Sequence, residues 1–321
     1  MRAFYIPELK MAPMARPYKT NGEILSGESL PEGIYRYGAV VEYNGASYRG
    51  FQQQKHDPQT VQAELQKALS AVAAEPVSLV CAGRTDAGVH ATSQVIHFDS
   101  RAVRPSKAWV QGVNTAMARD IRVRWAAEMP AQFHARFSAK ARSYRYLISD
   151  QAVSPGLLRD QITWSKFPLD LEKMQHAAGF LMGEHDFSSF RAAQCQAKNP
   201  VREIQRIQFY RLHGGLIVME IRANAFLHHM VRNIVGVLMA VGSGQKQVSW
   251  VADVLEARNR SAASVTAPAA GLYFVAAHYP EAFAIPDISR GPMLLPDDLS
   301  LAGEAVQFDN DHSPPFKEPG V

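Results

Sequence analysis

The stretch Gly83-Arg84-Thr85-Asp86-Ala87-Gly88-Val89-His90 gathers an arginine, an aspartate and a histidine among small residues, between two apolar runs. Glycines at 83 and 88 free the backbone for unusual angles and let a ligand approach closely. An aspartate beside an arginine is expected to stay ionised, because an adjacent cation favours the charged form. That state suits a nucleophile, which must carry its charge without first losing a proton. Asp86 is therefore the first candidate for a reactive carboxylate, with Arg84 as the cation beside it. On chemistry alone, a surface turn holding an exposed Arg84–Asp86 pair of little energetic worth is as good a reading.

Other groups are weaker as chemistry. Tyr144 and Tyr146 stand two apart on one strand face, a spacing that more often means packing. Arg232 falls off the apolar stripe of a strong helix, in register with His228 one turn earlier. It would reach Asp86 or a phosphate only if that helix lines a cleft; otherwise it belongs to a solvated face. His228-His229 has the look of a metal site, but adjacent helical residues point about 100° apart. His90 and His97 with Asp86 form a loose cluster, and neither HExxH nor paired Cys-x-x-Cys supports one. No metal site is expected.

The elements that must position these residues appear as a pattern that repeats. Tyr37 to Tyr43 reads as a strand ending at Asn44-Gly45. Val61, Leu65, Ala68, Leu69 and Val72 fall on one helical face, with Thr60 as N-cap and Glu64 in the first turn. Strands at 77–81 and 94–98, a helix at 106–117 and a strand at 121–126 complete the first copy. The second begins at 143–148 and continues through a helix at 171–182. Strands at 203–212 and 216–222 follow, joined by His213-Gly214-Gly215. A helix at 226–241 stops at Gly242 and Gly244, and 272–277 is the last strand. The fold class expected is α+β, with two successive ferredoxin-like (βαββαβ) units. Helices on one face of each antiparallel sheet would leave the other faces to form a central RNA-binding cleft, with 127–142 as hinge. The domains are then an extension at 1–34, a catalytic-loop domain at 35–130, a second α+β domain at 131–280 and an acidic tail at 281–321.

Composition fits a soluble globular protein: of 321 residues, 47% are hydrophobic and 20% charged. The longest apolar run, Ile234 to Gly244, is too short to span a bilayer, and the N-terminus, broken by Arg2, Glu8, Lys10 and Arg16, has no apolar core of signal-peptide length. Two distant cysteines, Cys81 and Cys195, make no disulfide framework and suit a reducing cytoplasm. Overall charge is +4, but residues 281–321 hold eight acids against Arg290 and Lys317, leaving +10 on residues 1–280. A basic body suits a phosphate-rich partner, although many basic proteins bind no nucleic acid.

The Asp86 segment resembles, over all eight residues, the signature of the tRNA pseudouridine synthase A family. Further matches follow in that family's order. They are Tyr43-Asn44-Gly45 through Gln54, Phe133-His134-Ala135-Arg136-Phe137-Ser138-Ala139, Gly183 to Phe190, Asn224 to Gly236, and Gly271-Leu272-Tyr273-Phe274. The resemblance spans roughly residues 35–280. It implies isomerisation of uridine to pseudouridine at tRNA positions 38, 39 and 40 in the anticodon stem-loop, by a homodimer. Asp86 takes the place of the family's catalytic aspartate, Arg84 of its arginine two residues earlier, and Tyr144 of its uracil-contacting tyrosine. The resemblance also favours an active-site Arg232, and puts His90 and Leu272 with Tyr144 on the substrate-binding surface.

These residue types suit that reaction. The N-glycosidic bond breaks, the uracil turns, and C5 joins the same C1′, a sequence that needs neither metal nor organic cofactor. A carboxylate can attack the ribose, attack uracil C6, or assist elimination. The target base must leave the helical stack, and Tyr144 offers it a ring and a hydroxyl near C5. His134 and Arg136 are candidates for RNA contact or simply for joining the domains, and Lys55 and His56 for backbone contact or a solvated loop. Two other classes compete. A non-catalytic RNA-binding protein on the same scaffold has no use for an ionised aspartate in a glycine-flanked loop. A metal-dependent nuclease or deaminase lacks its ligand spacing.

Overall fold

The computed structural model describes residues 30–54, 59–212, 214–288, 290–301 and 303–306. The expectations for residues 1–29, for Lys55, His56 and His213, and for the tail from 307 onward lie outside these residues.

The first half runs β1 (Tyr35–Tyr43), α1 (Val61–Ala73), β2 (Leu79–Cys81), β3 (His90–Ser100), α2 (Val113–Ala116) and β4 (Ile121–Met129). Its helix α1 starts where the sequence says, because Thr60 Oγ1 accepts the Ala63 N–H at 3.3 Å. Val61, Leu65, Ala68 and Leu69 are buried, each worth roughly 1.5–3 kcal/mol of burial if the side chain is large. The helix expected at 106–117 is found over residues 106–116, with its middle, Ala108–Gly112, in π-helical form ahead of the short α2.

The second half runs β5 (Ala141–Ser149), β6 (Thr163–Trp164), α3 (Leu171–Gly179), β7 (Gly183–Asp186), β8 (Val201–Leu212) and β9 (Leu216–Ala223). It ends with α4 (Met230–Gly242), α5 (Trp250–Ala257) and β10 (Leu272–His278), and β11 (Gly303–Ala305) follows. The short elements β6, β7, α5 and β11 have no counterpart in the sequence expectation, being too brief for a period to declare itself.

Among the described residues the strands form one sheet in the order β11-β8-β9-β5-β10-β3-β1-β4, with β2 on β3, β6 on β5 and β7 on β8. The expectation of two sheets with facing surfaces is therefore corrected. The halves join edge to edge through a parallel pair, β10 with β3, in which Tyr273 opposes His90 and Phe274 opposes Ala91. Period-two alternation sorts the second half's side chains. Tyr144, Tyr146, Met219, Ile221, Leu272 and Phe274 enter the core to which α1, α2, α3, α4 and α5 all contribute. Leu147, Val218, Tyr273 and Val275 enter a second, smaller core on the opposite face, with Leu295 and Leu299 from the C-terminal segment.

That opposite face was expected to stay open, and it does not. Arg145, fully buried on β5, pairs with Glu220 Oε1 at 2.9 Å. It also donates to the carbonyls of Gly291 (2.8 Å), Pro296 (3.1 Å) and Asp297 (2.7 Å). One guanidinium thus holds a periodless segment against the sheet by its backbone oxygens, which no side-chain pattern announces. The candidate site lies on the other face, the one that carries the helices, beside the β3–β10 seam.

Candidate active site

The loop between β2 and β3 is clamped residue by residue. Gln94 donates to Gly83 O at 2.7 Å and accepts from Gly83 N at 3.3 Å. Tyr43 and Thr85 share a hydroxyl–hydroxyl bond of 2.8 Å, Phe51 N donates to Thr85 O at 3.0 Å, and Gly88 N donates to Tyr48 O at 3.2 Å. Burial pushes the Tyr43 phenol well above its usual range, so it remains a neutral partner. The loop's two glycines do different work. Gly88 sits at φ +77°, where a side chain is strained, while Gly83 leaves room for the Phe274 ring 3.0 Å from where its Cβ would be. Gly45 permits an even closer approach, since a Cβ there would stand 1.9 Å from Val89 O. The sequence offered Asn44-Gly45 as a strand end and as part of a family match; in the fold Gly45 lets the loop pass.

So held, Asp86 projects toward the start of α4. Arg232 Nη1 donates to its Oδ2 at 3.2 Å, while Arg232 Nε donates to Ala267 O at 2.8 Å. Gly236, one turn on, makes that second bond possible: a Cβ there would meet Val265 O at 2.0 Å. Asn233, fully buried, fixes the same segment. Its amide donates to Phe190 O at 2.7 Å and its oxygen accepts from Thr266 Oγ1 at 2.6 Å and Arg260 at 3.2 Å. A buried asparagine in an apolar helical stripe was the available signal for this support, and the sequence reading passed over it.

His228 and His229 are brought to the same carboxylate, with Nε2 atoms 3.3 Å from Oδ1 and 3.4 Å from Oδ2. On a helix their side chains would point about 100° apart. The helix begins only at Met230, and His229 is left-handed at φ +62°, which turns both rings to one side. Burial holds the His229 imidazole below its ordinary range, against the opposing pull of Asp86. Asp86, His228 and His229 present ligand atoms all within 4.8 Å of one another, a donor set of the kind that holds transition metals. The Arg232 guanidinium already lies against Asp86, so a cation would have to displace it.

Tyr144 reaches the site from β5, its ring set edge-on between Phe226 (5.0 Å) and Phe274 (5.2 Å). Its hydroxyl would lie 3.7 Å from a Cβ on Gly83, and among the described residues it makes no hydrogen bond. Tyr146 differs: its hydroxyl bonds to Thr163 at 2.6 Å and Pro268 O at 2.7 Å, the packing role read from sequence. Burial raises the Tyr144 phenol far above its usual range, reinforced by the charge of Asp86. It therefore stands ready as a proton-bearing donor.

Three expected residues are placed otherwise. Arg84 is exposed and, among the described residues, forms no ion pair, so the guanidinium against Asp86 is that of Arg232. His90, expected on the substrate-binding surface, is buried at 1% exposure. Its Nδ1 accepts from Gly45 N at 3.1 Å, its Nε2 meets Asp160 O at 2.9 Å, and its ring stacks on Tyr273 across the seam. Leu272 shares the face of Tyr144 but opposes Tyr146, leaving Phe274 as the strand neighbour of Tyr144.

Known proteins are similar to most of this chain. Residues 39–138 and 177–280 match the family model described as tRNA pseudouridine synthase. A tRNA pseudouridine synthase A of Pseudomonas aeruginosa is similar, 52% identical over 270 residues, covering 84% of this chain and 94% of that protein. One of Hydrogenovibrio crunogenus is 54% identical over 254 residues, covering 79% and 96%. One of Cronobacter sakazakii is 49% identical over 270 residues, covering 84% and 99%.

Proposed function

The chain belongs to the tRNA pseudouridine synthase family, and on that premise we propose that it isomerises uridine to pseudouridine in tRNA, at positions 38, 39 and 40 of the anticodon stem-loop, with Asp86 as the reacting carboxylate. The observation that carries the reading is the carboxylate of Asp86 fixed by Arg232 at 3.2 Å, on the loop whose Gly83 faces the Tyr144 hydroxyl, a group with no hydrogen bond among the described residues.

The reaction breaks N1–C1′, forms C5–C1′, and in net terms moves the C5 proton to N1. Asp86 supplies the negative charge for attack at C1′ or C6, or for elimination at the sugar. Arg232 holds that carboxylate in place and balances the charge it carries, a preorganised interaction of the kind that lowers barriers. Tyr144 contributes a donor to the flipped base. Arg84, free at the surface of the loop, is suited to a phosphate or to the space the base leaves.

The same reading takes residues 35–130 and 131–280 as two ferredoxin-like units. The strand orders β4-β1-β3-β2 and β10-β5-β9-β8 support it. It includes a homodimer with one tRNA across both subunits and a cytoplasmic location. Among the described residues no helix is long and apolar enough to cross a membrane.

The test is to incubate unmodified tRNA with the protein and map pseudouridine by carbodiimide derivatisation and primer extension. Stops specific to positions 38–40 are expected. Binding of tRNA without any new stop would leave an RNA-binding protein on this scaffold.

A further inference from the structure

Phe137 is a large ring left 63% exposed. Singly exposed apolar residues are ordinary, but this one is the end of a built stack. His97, buried at 5% exposure on β3, lies 4.6 Å from the His134 ring. His134 in turn stacks on Phe137 at 4.3 Å and 27°. The turn beneath is rigid: His134 Nδ1 accepts from both Arg136 N (3.2 Å) and Phe137 N (3.1 Å), and Ser138 N and Oγ bond back to His134. The ring is thus held in place without being buried, stacked on the His134 imidazole and with the Arg136 guanidinium carbon over it, 5.5 Å from the ring centroid.

Its position ties it to the site. Arg142 donates to Arg136 O and Ala139 O in this turn, to Ala82 O just before the Asp86 loop, and to Asn224 O ahead of His228 and His229. One guanidinium therefore joins the turn to both segments that frame Asp86. The neighbourhood is cationic, since Arg84 and Arg136 are exposed and both act on Cys81 at the end of β2.

We propose that Phe137, backed by His134, is a stacking platform for an unpaired base of the substrate tRNA next to the target uridine. This rests on the reading of the chain as a tRNA enzyme. A flat ring beside guanidiniums is how proteins hold splayed bases, because every base offers a π-face and its phosphate seeks a cation. Flipping one nucleotide unstacks its neighbours, and a rigid exposed ring at the rim replaces a lost stacking partner.

The test uses the full chain and an anticodon stem-loop RNA, with affinity read by filter binding so that turnover is not required. Phe137→Ala is expected to bind roughly tenfold more weakly, with the salt dependence of wild type because no phosphate contact is lost. Phe137→Trp is expected to restore affinity and to show RNA-dependent quenching beyond that of wild type. Equal affinity of wild type and Phe137→Ala would overturn the proposal, as would equal weakening by Trp. Wild type that binds RNA yet forms no pseudouridine would contradict the isomerase reading alone. Wild type that binds no RNA would overturn both.

Discussion

Arg232 spans two partners at once: Nη1 to Asp86 Oδ2 at 3.2 Å and Nε to the Ala267 carbonyl at 2.8 Å. The second bond fixes the plane of the guanidinium, and the plane fixes where Asp86 points. Lysine carries the charge but not the fork. Arg232→Lys is expected to lower kcat for tRNA by about 100-fold, the usual scale for losing one preorganised charge partner, with little change in tRNA affinity. A kcat within twofold of wild type would show that charge alone suffices.

Gly45 lets the Asp86 loop pass against the end of β1. A Cβ there would stand 1.9 Å from Val89 O, and backbone must move to admit it. Gly45→Ala should cost about 1–3 kcal/mol in urea denaturation, as overpacking does, and should lower kcat as the loop shifts. Wild-type stability and turnover would mean that the loop yields freely.

Arg145 and Glu220 form a buried pair under the C-terminal segment, 0% and 14% exposed. Removing one partner strands the other's charge, so Arg145→Met should destabilise by about 3–5 kcal/mol. The double change Arg145→Met with Glu220→Gln should recover part of that loss. Additive losses in denaturant melts would argue against coupling.

Acid should weaken the fold through two histidines. Burial holds His97 and His278 down at about 4, below the ordinary value near 6.5. Nearby Arg36 and Arg222 push the same way. The unfolded chain therefore binds more protons as pH falls below about 6.5, and the stability these neutral rings contribute is complete above that pH and lost on the way down to about 4. The urea midpoint should be lower at pH 5 than at pH 7.5, and His97→Gln should flatten the profile. A midpoint indifferent to pH over that range would contradict this.

Much of the scaffold was readable because periodicity and caps act locally. Thr60 caps α1 as its type suggests, and the strand order of both halves follows the repeat read along the chain. Asp86 stood out for a similar reason, a charged residue among small ones between apolar strands. What escaped depended on distant or backbone features. The left-handed turn at His229 has no glycine to announce it, so the sequence puts both histidines on a helix, pointing apart from each other. The Arg145 contacts go to carbonyl oxygens, which every residue possesses, so the covering of the far sheet face was invisible. His90 looked chemical by its place in the motif, yet its two nitrogens are engaged by Gly45 and Asp160.

The most direct measurement is tritium release from tRNA labelled at uridine C5, comparing wild type with Asp86→Asn in the presence of chelator. Asn preserves shape and removes the charge that Arg232 faces. We expect wild type to release tritium from the target uridines, and Asp86→Asn to release none above background while still binding tRNA. Sustained release by Asp86→Asn would contradict the assignment of Asp86 as the reacting carboxylate.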